Sequence, residues 1–336
     1  MTAKRVGGLL ALTLALSAGG CVGSNPQPAL PPAAAVAAPP AVKHVTYPVG
    51  LRVLPLWRGK DRPLPTLVFY PSALPAPAAL TVAAPQLGAR TVERRTLRRL
   101  QKHDTLAHGV LEAPPAVGRF PLVVFSHGLS GSPEWCAAVL ASWASAGFVV
   151  VAPTFPYTSE FTRDYRREDI VNQPDDVRHV LQRVRRLDTT PGDPLRGRID
   201  GDRVAAVGHS AGGYTTTGLF TKGHDPRLRA GVVMAGWAAP GAFAGPPAKM
   251  LFLQGTADPV VPMAISQAAF AQVPWTKSYL VMRRVSHANY LRQQDRGYEL
   301  MTSTVTAFLR WTLLDDESAR PRLPHIFPAL PISRAD

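Results

Sequence analysis

The chain has 336 residues, of which 46% are hydrophobic and 18% charged, with 37 Lys and Arg against 23 Asp and Glu for a formal charge of +14. Such a length and apolar content suit one large domain with a substantial core plus extensions, rather than two equal domains. The positive balance favours anionic surfaces, but zinc-finger spacing, an aromatic RNA-binding signature and a helix-turn-helix pattern are all missing, so nucleic acid is excluded as the expected partner.

In chain order, Met1 to Gly20 carries Lys4-Arg5, then a Leu- and Ala-rich run, then small residues. This is the layout of a secretory signal peptide, set apart from the fold as residues 1–20. Ser17-Ala18-Gly19-Gly20-Cys21 resembles the lipobox of bacterial lipoproteins, with Ala18 where leucine is usual. The resemblance implies an exported protein lipidated at Cys21 and anchored to the membrane at the cell envelope; the alternative is a conventional leader cut near Gly20, giving a secreted or periplasmic protein. With Cys21 lipidated, Cys136 stands alone and no internal disulfide forms; it is expected to be a buried core thiol. After residue 20 no apolar run reaches membrane-spanning length.

Residues 21–45 are dominated by Pro and Ala and read as a tether. The domain is expected over residues 46–316, with a Pro-rich surface tail over 317–336. Leu51 to Trp57 and Thr66 to Tyr70 are expected to pair as antiparallel strands across Arg58-Gly59-Lys60-Asp61. The basic run Thr91 to Leu100 is expected to be a short helix held by Val92, Leu97 and Leu100. Its charges allow contact with an anionic membrane or substrate, but a solvated charged face is the preferred reading.

From Phe120 the pattern alternates. Buried strands are expected at Phe120 to Phe125, Phe148 to Ala152, Arg203 to Val207, Arg229 to Ala235, Lys249 to Gln254 and Ser278 to Val285. Helices are expected at Glu134 to Ala146, Pro174 to Leu187, Tyr214 to Phe220 and Tyr298 to Leu314. The alternation predicts an α/β class with a mostly parallel, doubly wound sheet flanked by helices in a single domain.

The run Arg203 to Tyr214 ends in Gly208-His209-Ser210-Ala211-Gly212. A strand turning sharply into a helix forces its middle residue into strained geometry, and glycines leave room around it. Ser210 would stand on that turn, its own amide and that of Ala211 free to face an oxyanion at the helix start. A serine hydroxyl is a weak nucleophile, so it requires a base, and the base an orienting carboxylate. Between Ser210 and His287 the carboxylates are Asp225 and Asp258. Asp258 follows a strand, where α/β sites form, whereas Asp225 precedes one. His287 also follows a strand; His224 adjoins Asp225 and His325 lies in the tail. The candidate triad is therefore Ser210, Asp258 and His287. His209 is expected to be structural, and His127 to support its turn by hydrogen bonds. The chemistry calls for no cofactor and no metal.

His127-Gly128-Leu129-Ser130-Gly131, Gly208-His209-Ser210-Ala211-Gly212-Gly213, Gly255 to Pro262 and Ser286 to Tyr290 resemble, in order and spacing, the motifs of the α/β-hydrolase superfamily. Within it the chain is similar to the branch holding dienelactone-hydrolase-like proteins, platelet-activating-factor acetylhydrolases and cutinase-like polyester hydrolases. The resemblance covers about Thr46 to Leu314. It implies an α/β-hydrolase fold, Ser210 as nucleophile, His287 as base then acid, Asp258 as orienting carboxylate, and the amides of Leu129 and Ala211 as the oxyanion hole. Trp237 stands where cutinase-like relatives carry a substrate-contacting tryptophan; its other reading is a packing aromatic of a surface loop. Dienelactone hydrolases proper use cysteine where Ser210 stands, and the C-terminal disulfide of actinobacterial cutinases is absent.

The resulting expectation is a serine hydrolase cleaving small-molecule or lipid-like carboxylic esters. Two alternatives share the same residues: an envelope acyltransferase, and an anchored binding protein that has lost catalysis. Oligomeric state is not readable from these residues. The leader generates a direct test: a mass spectrum of the mature protein should begin at a Cys21 carrying a diacylglycerol, and an unmodified Cys21 would refute lipidation.

Overall fold

The computed structural model describes residues 46–74 and 94–328. The leader, Cys21, the Pro/Ala segment, Val92 and residues 329–336 lie outside the described residues.

An antiparallel hairpin comes first, β1 (Val49–Arg58) against β2 (Arg62–Pro71), with Leu51 opposite Phe69 and Pro55 opposite Pro65. The basic run then forms α1 (Arg94–Lys102), followed by the two-residue β3 (Val110–Leu111), which adds parallel to β1. Leu100 is fully buried beneath α1. Arg98, Gln101 and Lys102 of α1 are exposed, as expected of a solvated charged face, while Arg99 and Lys102 also form ion pairs with Glu134 and Glu160, two carboxylates of the body that lie under the helix.

Six strands form the parallel core: β4 (Phe120–Ser126), β5 (Val149–Pro153), β6 (Ile199–His209), β7 (Leu228–Met234), β8 (Lys249–Gly255) and β9 (Lys277–Met282). β4 and β5 are buried along their whole length, as expected of strands covered on both faces, and so read as unbroken apolar runs. With β10 (Ile326–Phe327) the sheet has the order β10-β9-β8-β7-β6-β4-β5-β2-β1-β3. β2 joins β5 only over Thr66–Phe69, so the turn end of the hairpin runs past the ladder that holds its base. The chain moves outward from β4 to β5 and then crosses back to β6, leaving a switch point between β4 and β6. Crevices at such points, at the carboxyl ends of the strands, are where α/β sheets bind ligands.

On one face, α2 (Ala137–Ser145) and α6 (Tyr298–Leu313) bury Leu140, Trp143, Val305 and Phe308 with Val123, Phe125, Ala205 and Val207 of the sheet. On the other, α3 (Gln173–Leu187) buries Val177, Val180 and Val184. Pro174, Asp175 and Asp176 in its first turn and Arg185 and Arg186 in its last complement the helix ends and dipole. The short α4 (Ala211–Thr217) follows β6, and α5 (Met263–Ala271) packs on β8. Cys136 is buried and unpaired just ahead of α2.

The tail expected from residue 317 is docked through Phe327. A 3-10 turn, Glu317–Arg322, is held to α6 by Trp311 Nε1 donating to Glu317 at 3.0 Å and Arg310 donating to Asp316 at 2.8 Å. Ala319 and Leu323 are buried, and β10 pairs antiparallel with β9. Proline content argued for an exposed end, but these apolar residues and an open strand edge outweigh it.

The hairpin is fastened to α3 by charge. Arg62 binds both Asp176 and Asp169, Arg58 adds a 2.8 Å contact to Asp176, and the Asp176 side chain is fully buried. Removing one partner of a buried cluster leaves an uncompensated charge, which costs far more than an exposed pair contributes. Arg62→Met should therefore lower unfolding free energy by about 3 kcal/mol in urea titrations, against about 1 kcal/mol for Arg178→Met, whose ion-pair partner Asp175 is exposed and whose other bond is to the Gly218 carbonyl.

Candidate active site

β6 delivers Ser210 to the switch point in a backbone conformation, φ 56° and ψ −122°, that non-glycine residues rarely adopt. Its neighbours explain how the turn closes. A Cβ on Gly208 would lie 1.9 Å from the Gly212 carbonyl oxygen, and one on Gly212 would lie 1.9 Å from that of Ser126. Only glycine permits either approach. Ser126 stands opposite Gly208 in the register of β4 and β6, so the same contact seats the turn after β4 against the turn carrying Ser210. The Ser210 amide donates to Met234 O at 2.8 Å, and Ala211 is the first residue of α4, where an amide has no acceptor within the helix.

The candidate acid and base arrive on adjacent strands. Asp258 follows β8 and His287 follows β9, and the two loops are stitched by Thr256 N donating to Met282 O at 2.9 Å and Ala257 N to Val285 O at 3.0 Å. His287 Nδ1 donates to Asp258 Oδ2 at 2.8 Å, which leaves Nε2 as the proton acceptor. Oδ1 of Asp258 accepts from the amides of Val260 and Val261, and Gln254 Nε2 donates to Oδ2 at 2.9 Å. Burial alone would raise the Asp258 carboxyl; the bond from His287 and the two amides outweigh it and hold it below its ordinary value. The side chain is 1% exposed, so the carboxylate is ionised and fixed in place by these bonds.

Ser210 and His287 line one cavity of about 190 Å³ with Leu129, Trp135, Cys136, His209 and Leu291. No hydrogen bond joins Ser210 Oγ to His287 Nε2 among the described residues; such contacts tighten when substrate binds. Leu129 sits in the turn after β4, half-buried at the wall. Trp237 is not among the lining residues: it packs on Tyr214, ring centroids 6.0 Å apart. Asp225 is engaged by Arg185 and Arg227 before β7, at the other end of the sheet. Among the described residues no group of three or more His, Cys, Asp or Glu is placed to hold a metal.

Two further histidines work as neutral hydrogen-bond partners. His127 Nδ1 donates to Gly128 O at 2.8 Å while Nε2 accepts from Phe155 N at 3.1 Å, bracing the turn as expected. His209 Nε2 donates to His287 O at 2.7 Å. That bond ties the residue before Ser210 to the loop carrying His287, a structural role that its position next to Ser210 could not specify. Gln254 carried no signal in the sequence. Burial lowers His127 to about 4, and burial with the neighbouring His287 lowers His209 to about 3.

The model of the PET hydrolase-like family matches residues 75–320. A platelet-activating factor acetylhydrolase of Canis lupus familiaris is 25% identical, the match covering 36% of this chain and 36% of that one. A cutinase, est1, of Thermobifida alba is 24% identical over 55% of this chain and 59% of its own. The chain thus spans roughly a third to three fifths of the length of these relatives.

A histidine neutral when folded but titrating near 6.5 when unfolded makes unfolding take up protons, so stability is full above about 6.5 and falls as pH drops toward the folded value. His127 and His209 should each withdraw about 2 kcal/mol between pH 7 and pH 5. Urea unfolding at the two values should show the loss, and His209→Gln should reduce its size by about 2 kcal/mol; an unchanged pH dependence in that variant would contradict the assignment.

Proposed function

The chain belongs to the PET hydrolase-like family of α/β hydrolases, and from that premise we propose that it is a serine hydrolase of carboxylic esters whose triad is Ser210, His287 and Asp258. The observation that carries the reading is the 2.8 Å His287–Asp258 bond behind a serine held on a strained turn in the same cavity. In the proposed reaction Ser210 Oγ attacks the ester carbonyl carbon while His287 Nε2 takes its proton. The carbonyl oxygen becomes an oxyanion facing the amides of Leu129 and Ala211. Collapse breaks the bond to the alcohol, which leaves with the proton from His287. Water, deprotonated by His287, then releases the acid and restores Ser210. Asp258 stays ionised throughout.

The cavity is smaller than the 300–1,000 Å³ common for ligand pockets, which favours a short acyl group in front of Ser210 with the alcohol portion outside. Relatives named as a cutinase and as platelet-activating factor acetylhydrolases fit an ester substrate of this kind. The proposal includes a site of action at the cell envelope through lipidated Cys21, on the strength of the leader.

Ser210→Ala should abolish hydrolysis of p-nitrophenyl acetate, a loss of at least about 10³-fold, while leaving the thermal transition in place; retention of substantial activity would overturn the triad. On a panel from acetyl to long-chain esters, kcat/KM should be highest at the short end.

A further inference from the structure

The turn after β4, which carries Leu129, has no helix or strand of its own to hold it. Its backbone is splinted by the segment after β5: Ser130 N donates to Thr158 O at 2.7 Å, and Glu160 N donates to Gly131 O at 3.1 Å. Ser130 takes a positive φ of 55°, a conformation that surroundings must enforce. The Glu160 side chain reaches across the same gap, its Oε1 accepting from Ser132 Oγ at 2.6 Å, and Ser132 Oγ in turn accepts from Trp135 N. One carboxylate therefore grips the end of the turn from outside.

That carboxylate is itself gripped by α1. Lys102 Nζ donates to Glu160 Oε2 at 2.5 Å, and His103 Nε2 lies 2.8 Å from Oε1. One helical turn back, Arg99 binds Glu134, just past the turn, at 2.8 Å, donates to Thr154 Oγ1 at 2.7 Å, and stacks 4.1 Å from the Phe161 ring. Arg99, Lys102 and His103 share one side of α1 by their spacing of three and four. Glu134 is 1% exposed and Arg99 17%, so this pair is shielded from screening, whereas Lys102 at 55% is not. Burial alone would raise the Glu160 carboxyl; the bonds from Lys102 and Ser132 outweigh it and keep it ionised.

We propose that Glu160, locked by α1, is a positioning residue that sets the Leu129 amide for the oxyanion through Ser132. The inference rests on the serine-hydrolase reading above. A donor held a fraction of an ångström out of place loses part of what it contributes, and a whole donor is worth about a hundredfold or more in turnover.

The test is the rate at which a fluorophosphonate labels Ser210 in the full chain, read with kcat and KM on p-nitrophenyl acetate and normalised to folded protein by circular dichroism. Glu160→Ala should label and turn over about tenfold more slowly, with KM within about twofold. Glu160→Gln, whose amide oxygen still accepts from Ser132, should recover most of the loss. Should Glu160→Ala fold poorly, Ser132→Ala cuts the same link while leaving both ion pairs intact, and should show the same split between kcat and KM. Parental labelling and kcat in folded Glu160→Ala or Ser132→Ala would overturn the positioning role alone. A parent protein that does not label at Ser210 would overturn the serine-hydrolase reading and this proposal together.

Discussion

Everything in the site follows from how closely three backbone segments approach at the switch point. The carbonyl oxygen of Ser126 lies where a side chain on Gly212 would begin, and that of Gly212 where one on Gly208 would begin. Because carbon and oxygen resist compression steeply at such range, the β4 turn, the end of β6 and the start of α4 have essentially one relative placement. Ser210 inherits its strained dihedral angles from that contact, and the β4 turn inherits its place in front of Ser210. The sheet register merely brings the segments level; the glycines let them touch.

Around this contact the polar groups divide into two kinds. Asp258 is ionised and fully engaged, with amides, an amide side chain and an imidazole sharing its two oxygens. His127 and His209 are buried and neutral, their rings serving as hydrogen-bond partners through both nitrogens of His127 and through Nε2 of His209, and not as charges. Under the proposed triad, neutral partners suit positions next to His287, since another positive charge a few ångströms away would oppose its taking up a proton. His209 and His287 have ring centroids 4.7 Å apart, so this consideration is a local one.

Much of this was legible from residues alone, because parallel strands buried on both faces leave unbroken apolar runs and because the elbow needs small residues at fixed spacing. The strands from β4 to β9, the elbow, and the presence of Asp258 and His287 at strand ends could all be read in that way. What could not be read are contacts between segments far apart in the chain that leave no periodic trace. Gln254 looks like any polar residue ending a strand, and Arg99 like any arginine of a basic run, until Asp258 and Glu134 are seen beside them. Proline-rich composition misled at the C-terminus, where Ala319, Leu323 and Ile326 supply enough apolar surface to dock the segment. Trp237 was placed by likeness to relatives, and a ring of its kind packs as readily on a neighbouring tyrosine as on a substrate.

The hairpin offers a last consequence. Its base is laced into the sheet by β5, the last rung being Thr154 N donating to Pro65 O at 2.8 Å, and past Pro65 the strands pair with each other, with two prolines face to face that bring no backbone donors. Beyond that point the arginines at its end, gripping α3, take over from the ladder. Cohesion there comes from the buried Leu64 side chain together with the ion pairs to α3, whereas at the base it is continuous with the sheet. A change that weakens those ion pairs would therefore be felt first at the turn end of the hairpin, with β5 and β4 standing between it and the elbow.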